Sequence, residues 1–220
     1  MSLFALPCTE DGGHMAAILN VDKLAFSYGK TPVWEDISFS LGEGDIAFLV
    51  GRNGSGKSTL LKCLAGWIAP TAGKICFAGE GIRCARTFVS DVPSFYDDLT
   101  AREHVQLLLR AGKMEDRLSR AQDLLAEFGL GRALDQYPSS YSRGMRLKLA
   151  LSLAFVMRPK LLLLDEPYGP LDAEASAVLD REVTSLTVRG SSVLVSCHAH
   201  ASDLVPNFTL ALRDGALSYA

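Results

Sequence analysis

A chain of 220 residues, 48% hydrophobic and 21% charged, can bury one sizeable core, or one core with a small appended subdomain. Its formal net charge of −3 speaks against a general nucleic-acid coating role. The longest apolar run, "LALSLAFVM" at 149–157, is broken by a serine and falls short of the roughly 18–20 residues that span a bilayer.

The opening "MSLFALPCTEDGG" lacks a basic start and turns acidic at once, which disfavours a secretory signal. Residues 1–16 read as an N-terminal extension: disordered, a cloning scar, or an upstream start. Five cysteines (Cys8, Cys63, Cys76, Cys84 and Cys197) form no CxxC pair and are odd in number, the pattern of free thiols in a reducing cytosol.

Strand-like runs follow at 17–28, "AILNVDKLAFSY", and 33–41, "VWEDISFSL", expected together at one edge. "DIAFLV" (45–50) is a buried strand that runs into "GRNGSGKST" and the helix "KSTLLKCLAGW". The interval Gly51–Ser58 matches G-x-x-x-x-G-K-[ST] between a strand and a helix. Gly51, Gly54 and Gly56 let the backbone turn tightly, so that the amides from Arg52, Asn53 and Ser55 onward can face phosphate oxygens. Lys57 supplies a point charge to the β- and γ-phosphates, Ser58 a hydroxyl for Mg2+, and Thr59 continues the motif.

"KICFAG" and "TFVSD" are further short strands. From 92 to 157 the texture is helical. Leu118, Ala121, Leu125 and Phe128 keep one face apolar, and Gly129 is placed to end that helix. "LLLLD" (161–165) is a continuous apolar strand of the kind covered on both faces, and "SSVLVSCH" (191–198) is another. The first delivers Asp165 to the carboxyl edge of the sheet, where open α/β sheets bind ligands and where it can hold a metal's water shell. Glu166 beside it can orient or deprotonate an attacking water. The expected fold is an α/β P-loop NTPase with a mostly parallel central sheet, an antiparallel β edge and an inserted helical subdomain. It would be one domain, 17–220, with 17–91 and 158–220 as its core and 92–157 as the helical insert.

Three further features separate the P-loop families. "YSRGM" (141–145) stands 20 residues before "LLLLDEP", "GPLD" (169–172) follows it, and His198 ends a strand 33 residues after Asp165. This order resembles the nucleotide-binding subunit of an ATP-binding cassette (ABC) transporter, from about residue 17 to 219. The resemblance implies that 141–145 is the signature loop, which caps the γ-phosphate on a second subunit in a head-to-tail dimer. Ser142 and Gly144 match its second and fourth positions, while Tyr141, Arg143 and Met145 replace Leu, Gly and Gln. The start Tyr-Ser-x-Gly-Met resembles the branch with ABC-2-type membrane partners, mostly exporters.

The same resemblance makes Asp172 the D-loop aspartate, His198 the γ-phosphate sensor (with His200 a competitor), and Tyr28 the aromatic that stacks on adenine. Asp91 falls where a glutamine usually contacts the metal side. The expectation is that Asp91 acts there through a metal-bound water. Phe95 and Tyr96 follow in the groove expected to receive a membrane-subunit helix. His14 and His104 read as structural, and Arg146 and Lys148 as solvated helix surface. The resemblance implies ATP and Mg2+ as ligands, a transmembrane permease and a second ABC subunit (a homodimer by preference) as partners, no nucleic acid, and a cytoplasmic protein peripheral to the inner face of the membrane. Two other classes stand against it. An ABC ATPase acting on DNA or ribosomes usually carries coiled-coil insertions or a second cassette, and a small-molecule kinase leaves "YSRGM" and "SCH" unexplained.

Overall fold

The structure, a computed structural model, describes residues 17–77, 86–197 and 203–220. Strands β1 (Ala17–Tyr28) and β2 (Thr31–Gly42) form a hairpin around a two-residue turn, with Gly29 at φ +60° in its first position. Their inward residues do not keep a strict period of two. Leu19 and Val21 are followed by Leu24 and Phe26, and Trp34 by Ile37 and Phe39. The register shifts along this pair, and Lys23 and Asp36 take positive φ, which resets the phase so that both halves of each strand face the core. With β4 (Ala72–Phe77) on the other side of β1, the antiparallel strands expected at an edge make a sheet of their own, three-stranded among the described residues.

The second sheet has six strands among the described residues: β5 (Arg86–Val89), β6 (Leu161–Asp165), β7 (Ser192–Cys197), β3 (Ile46–Val50), β8 (Phe208–Arg213) and β9 (Ala216–Tyr219), in that spatial order. The first five are parallel, and only β9 runs antiparallel. Leu161 and Leu163 of β6 belong to one core with α1 (Lys57–Ala65) and the antiparallel sheet. Leu162 and Leu164 belong to the other, with α4 (Arg143–Met157) and α5 (Ala173–Val188). The strand is buried on both faces, which is why it reads as an unbroken apolar run. The helices α2 (Ala101–Gly112), α3 (Leu118–Glu127) and α4 lie between β5 and β6 in the chain. Of the apolar face expected on α3, Ala121, Leu125 and Phe128 are buried with Leu124, whereas Leu118 is exposed. Gly129 at φ +75° closes the helix, with Leu130 N–H reaching back to the Leu125 carbonyl at 2.7 Å. Among the described residues no helix is long and apolar enough to cross a membrane.

This topology sets the site. β7 lies between β3 and β6, so the loop after Val50 and the carboxylates after Leu164 emerge at the same edge. They are two strand spacings apart, about 10 Å.

Candidate functional site

The loop from Gly51 to Gly56 turns on φ values of +80° at Gly54 and +98° at Gly56. A Cβ on Gly56 would lie 2.6 Å from Val33 Cγ1 and 2.7 Å from Trp34 Cδ1, and one on Gly51 would lie 2.5 Å from the Leu212 carbonyl oxygen. Glycine is demanded at both places by space, and at Gly56 by conformation too. The helix that follows, α1, has no side-chain cap and no acidic residue in its first turn. Its amides and positive dipole end are left for an anion. Arg52 and Asn53 are exposed on the loop, and Ser58 is half-buried. Ser55 Oγ is shielded from solvent without a hydrogen-bond partner among the described residues.

Lys57 is buried. Its ammonium donates to the Gly51 carbonyl at 2.8 Å and the Arg52 carbonyl at 3.4 Å, and pairs with Glu166 Oε1 at 3.3 Å. Asp165 is buried at the end of β6 and accepts from Ser196 Oγ at 2.7 Å. Glu166 sits at φ +48°, a region an L-residue seldom adopts, with its amide bound to Ser196. Tyr28, Asn53, Gly54, Gly56, Lys57, Ser58, Thr59, Asp91 and Glu166 line one cleft of about 580 Å³, within the range of small-ligand sites. Tyr28 is 61% exposed, and its hydroxyl lies 3.3 Å from Thr59 Oγ1.

Residues 34–169, more than half of the chain, match the ABC transporter family. The chain belongs to that family. It is 33% identical over 195 residues to the ABC-type transporter ATP-binding protein EcsA of Bacillus subtilis, covering 84% of this chain and 79% of that one. It is 30% identical over 214 residues to the ABC transporter ATP-binding protein YtrE of the same organism, covering 88% and 93%. A solved structure of an ATP-binding subunit of an ABC transporter superposes with a TM-score of 0.84 at 31% identity, over 92% of this chain and 90% of that one. The protein is therefore an ABC ATP-binding subunit and an ATPase, of a family whose ATP-binding subunits work with transmembrane permeases.

In this ABC subunit the loop 141–145 divides its labour. Tyr141 is buried and donates from its hydroxyl to the Ala133 carbonyl at 2.5 Å; burial, and then the charge of Asp135, push its pKa up. Ser142 and Arg143 are exposed. Ser142 Oγ caps α4 by accepting from the Met145 amide at 3.2 Å. A Cβ on Gly144 would lie 2.7 Å from the Pro170 carbonyl oxygen, so the 141–145 loop rests on the loop before Asp172. Asp172 caps α5 through the Ala175 amide at 2.8 Å and pairs with Lys148 at 2.6 Å.

Lys148, expected as solvated surface, is thus a half-buried partner of Asp172, because its place in α4 puts it over that carboxylate. Arg146 is likewise half-buried. Asp91 lines the cleft and lies 3.7 Å from Arg143 Nη2. His104 is buried, as a structural histidine should be: Nε2 accepts from the Tyr96 amide at 3.0 Å and Nδ1 donates to the Thr100 carbonyl at 2.8 Å. Phe95 packs edge-on against it, and Tyr96 and Val92 are exposed. His198 and His200, like His14, lie outside the described residues.

Ser196 was missed by the sequence reading. Its signal, a hydroxyl near the carboxyl end of a strand read as buried, is present in "SVLVSC", where Ser192 carries a second one.

Proposed function

We propose that the chain is the ATP-hydrolysing motor subunit of a transporter, that two copies close head to tail around two Mg-ATP, and that closing and opening drive a separate transmembrane permease. The observation that carries the dimer is that Ser142, Gly144 and Met145 do not line the chain's own cleft, while Arg143 touches only its rim. An exposed helix N-terminus with a serine and a glycine is chemically suited to a phosphate, and the Ser142 hydroxyl, whose oxygen caps α4, keeps its proton to donate to one on another subunit. The second copy is taken to be identical, because both acidic positions and the whole P-loop are intact in this one.

Within the cleft, Lys57 is held by two carbonyls and Glu166. Entering phosphate oxygens compete for its ammonium and release Glu166 to orient or deprotonate the attacking water. Tyr28 stacks on adenine, and the P-loop amides hold the phosphates. The donor set fits Mg2+: hard oxygens from Ser58 and Asp165, with Asp91 acting through water. Among the described residues no cluster of three His, Cys, Asp or Glu side chains could hold an ion unaided, so phosphate oxygens would complete the coordination. When bound, Mg2+ offsets charge on the β- and γ-phosphates. His198 reads the γ-phosphate, and Asp172 sits at the dimer seam.

Residues 17–220 form one ATPase domain with 92–157 as its helical subdomain. Phe95 and Tyr96 meet the permease at the inner face of the membrane, and export is favoured on the Tyr-Ser-x-Gly-Met start. Nucleic acid is not a partner.

The test uses Glu166→Gln, which should bind ATP, hydrolyse it at least about 100-fold more slowly, and accumulate as an ATP-dependent dimer by size-exclusion chromatography. Adding Ser142→Arg should abolish that dimer while monomer ATP affinity stays. A dimer that survives Ser142→Arg refutes the action in trans.

A further inference from the structure

Ser196 is fully buried in β7, directly opposite Asp165 of β6 in the parallel register. Its strand neighbours Val193, Leu194 and Val195 are apolar and fully buried. A hydroxyl in such a place carries a desolvation cost unless it is bonded. Ser192, equally buried on the same strand, meets that cost by donating to the Gly42 carbonyl at 2.5 Å, a purely structural link. Ser196 does something different. It donates to Asp165 Oδ1 at 2.7 Å and accepts from the Glu166 amide at 3.0 Å. The same amide also lies 3.2 Å from the Ser196 carbonyl oxygen.

We propose that Ser196 is a positioning residue for ATP hydrolysis, one hydroxyl that sets the Asp165 carboxylate and the Glu166 backbone together. The inference rests on the roles given to Asp165 and Glu166 above. A serine hydroxyl has one proton. Because its oxygen accepts the Glu166 amide, that proton is available to Asp165, which must present an unprotonated oxygen to it. Oδ1 is thereby oriented into the sheet, and the other carboxylate oxygen is not committed to Ser196. On the Glu166 side, two acceptors from one residue hold the amide of a left-handed backbone that would otherwise relax. That backbone brings Oε1 within 3.3 Å of Lys57. Losing the hydroxyl frees both acidic residues at once, and misplacements near 1 Å at such centres cost about 100-fold.

The experiment compares Ser196→Ala, Ser196→Cys and Ser196→Thr in the full chain, with Glu166→Gln as reference. It follows ATP turnover against ATP and Mg2+ concentration, ATP affinity, and the thermal midpoint. Ser196→Ala and Ser196→Cys should bind ATP within about threefold of wild type, turn over about 10- to 100-fold more slowly, and need more Mg2+ for half-maximal rate. Ser196→Thr, which keeps the hydroxyl, should recover most of the rate.

Turnover in Ser196→Ala within twofold of wild type overturns the proposal. So does a loss in Thr equal to that in Cys, since a structural role would track packing and the thermal midpoint. If Ser196→Ala does not fold, the Thr and Cys pair decides, and the proposal requires Thr to be at least tenfold the faster. Should Glu166→Gln lose turnover while Ser196→Ala keeps it, the site reading stands and Ser196 has no part in it. Turnover retained in Glu166→Gln overturns the site reading and the role of Ser196 with it.

Discussion

Gly56 combines two constraints that act on the same atom. At φ +98° a side chain is strained whatever the space, and the space is already filled by Val33 and Trp34. Gly56→Ala should cost about 1–3 kcal/mol of stability, read from denaturant unfolding, and should weaken ATP binding, because relief of the clash moves the amides at the head of α1. Cys197, at the end of β7 beside the cleft, makes a contrasting case. Burial, then the charge of Glu166, push its thiol up to about 11, with Lys57 acting the other way. Burial alone pushes Cys63 to about 11. With the folded value raised, the thiolate is scarce at neutral pH and forms only in strongly alkaline solution. Both thiols should resist a disulfide reagent at pH 8 in the native protein and react when it is unfolded.

Between elements, the contact that matters is the one from α4 to the start of α5. Lys148 and the Ala175 amide both bind the Asp172 carboxylate, and in that order they hold its pKa below the ordinary aspartate range. Gly144 closes on Pro170 a turn earlier on α4. The 141–145 loop and the 169–172 turn thus pack together within a single subunit, and Lys148 joins them. Asp172→Ala should lose the helix cap, at about 1 kcal/mol, and Asp172→Asn should keep most of it.

A depressed carboxyl stabilises the fold above its unfolded pKa and loses that contribution as pH falls through its folded value. The gap in thermal midpoint between wild type and Asp172→Asn should therefore be full at neutral pH and close in acid below the ordinary aspartate range. A gap that persists there would mean the Lys148 pair adds nothing. The capping box at Thr100 and Glu103, with His104 bonded to Tyr96, does a similar local job for α2 and the loop before it.

Across the whole molecule, two of the four positions expected to depart from the family pattern, Asp91 and Arg143, meet each other. The sequence resemblance puts Asp91 where glutamine is expected and Arg143 where glycine is expected, and their charged groups are 3.7 Å apart. The pair joins the start of α4 to the segment after β5, so it links the cleft rim to the 141–145 loop. Both side chains are well exposed, which limits the coupling to about 0.2–1 kcal/mol. A double-mutant cycle with Asp91→Ala and Arg143→Ala, read by ATP-dependent dimer formation, should show that coupling at low salt and lose it at high salt. Strict additivity at low salt would leave the two departures unrelated.

Much was legible in the chain because it is written locally. The strand spans of β1 and β6, the turn-and-helix P-loop, and Asp165 with Glu166 at a strand end follow from side-chain period, glycine placement and residue chemistry over a few positions. The last hairpin, β8 and β9, was also legible but passed over: Asp214-Gly215 between apolar runs is a strong turn signal, and both residues take positive φ. Other features could not be read, because they depend on which strands and helices become neighbours. That the antiparallel strands form a separate sheet follows from sheet topology, and that β7 separates the P-loop from Asp165 follows from strand order. The Ser196 link, the Lys148–Asp172 pair and the meeting of Arg143 with Asp91 all join residues far apart in sequence. By itself the sequence determined which chemistry the protein carries, because a phosphate loop and an acidic strand end are short and self-contained. Tertiary structure alone decided how that chemistry is aimed, because packing brings distant hydroxyls and charges within hydrogen-bonding distance.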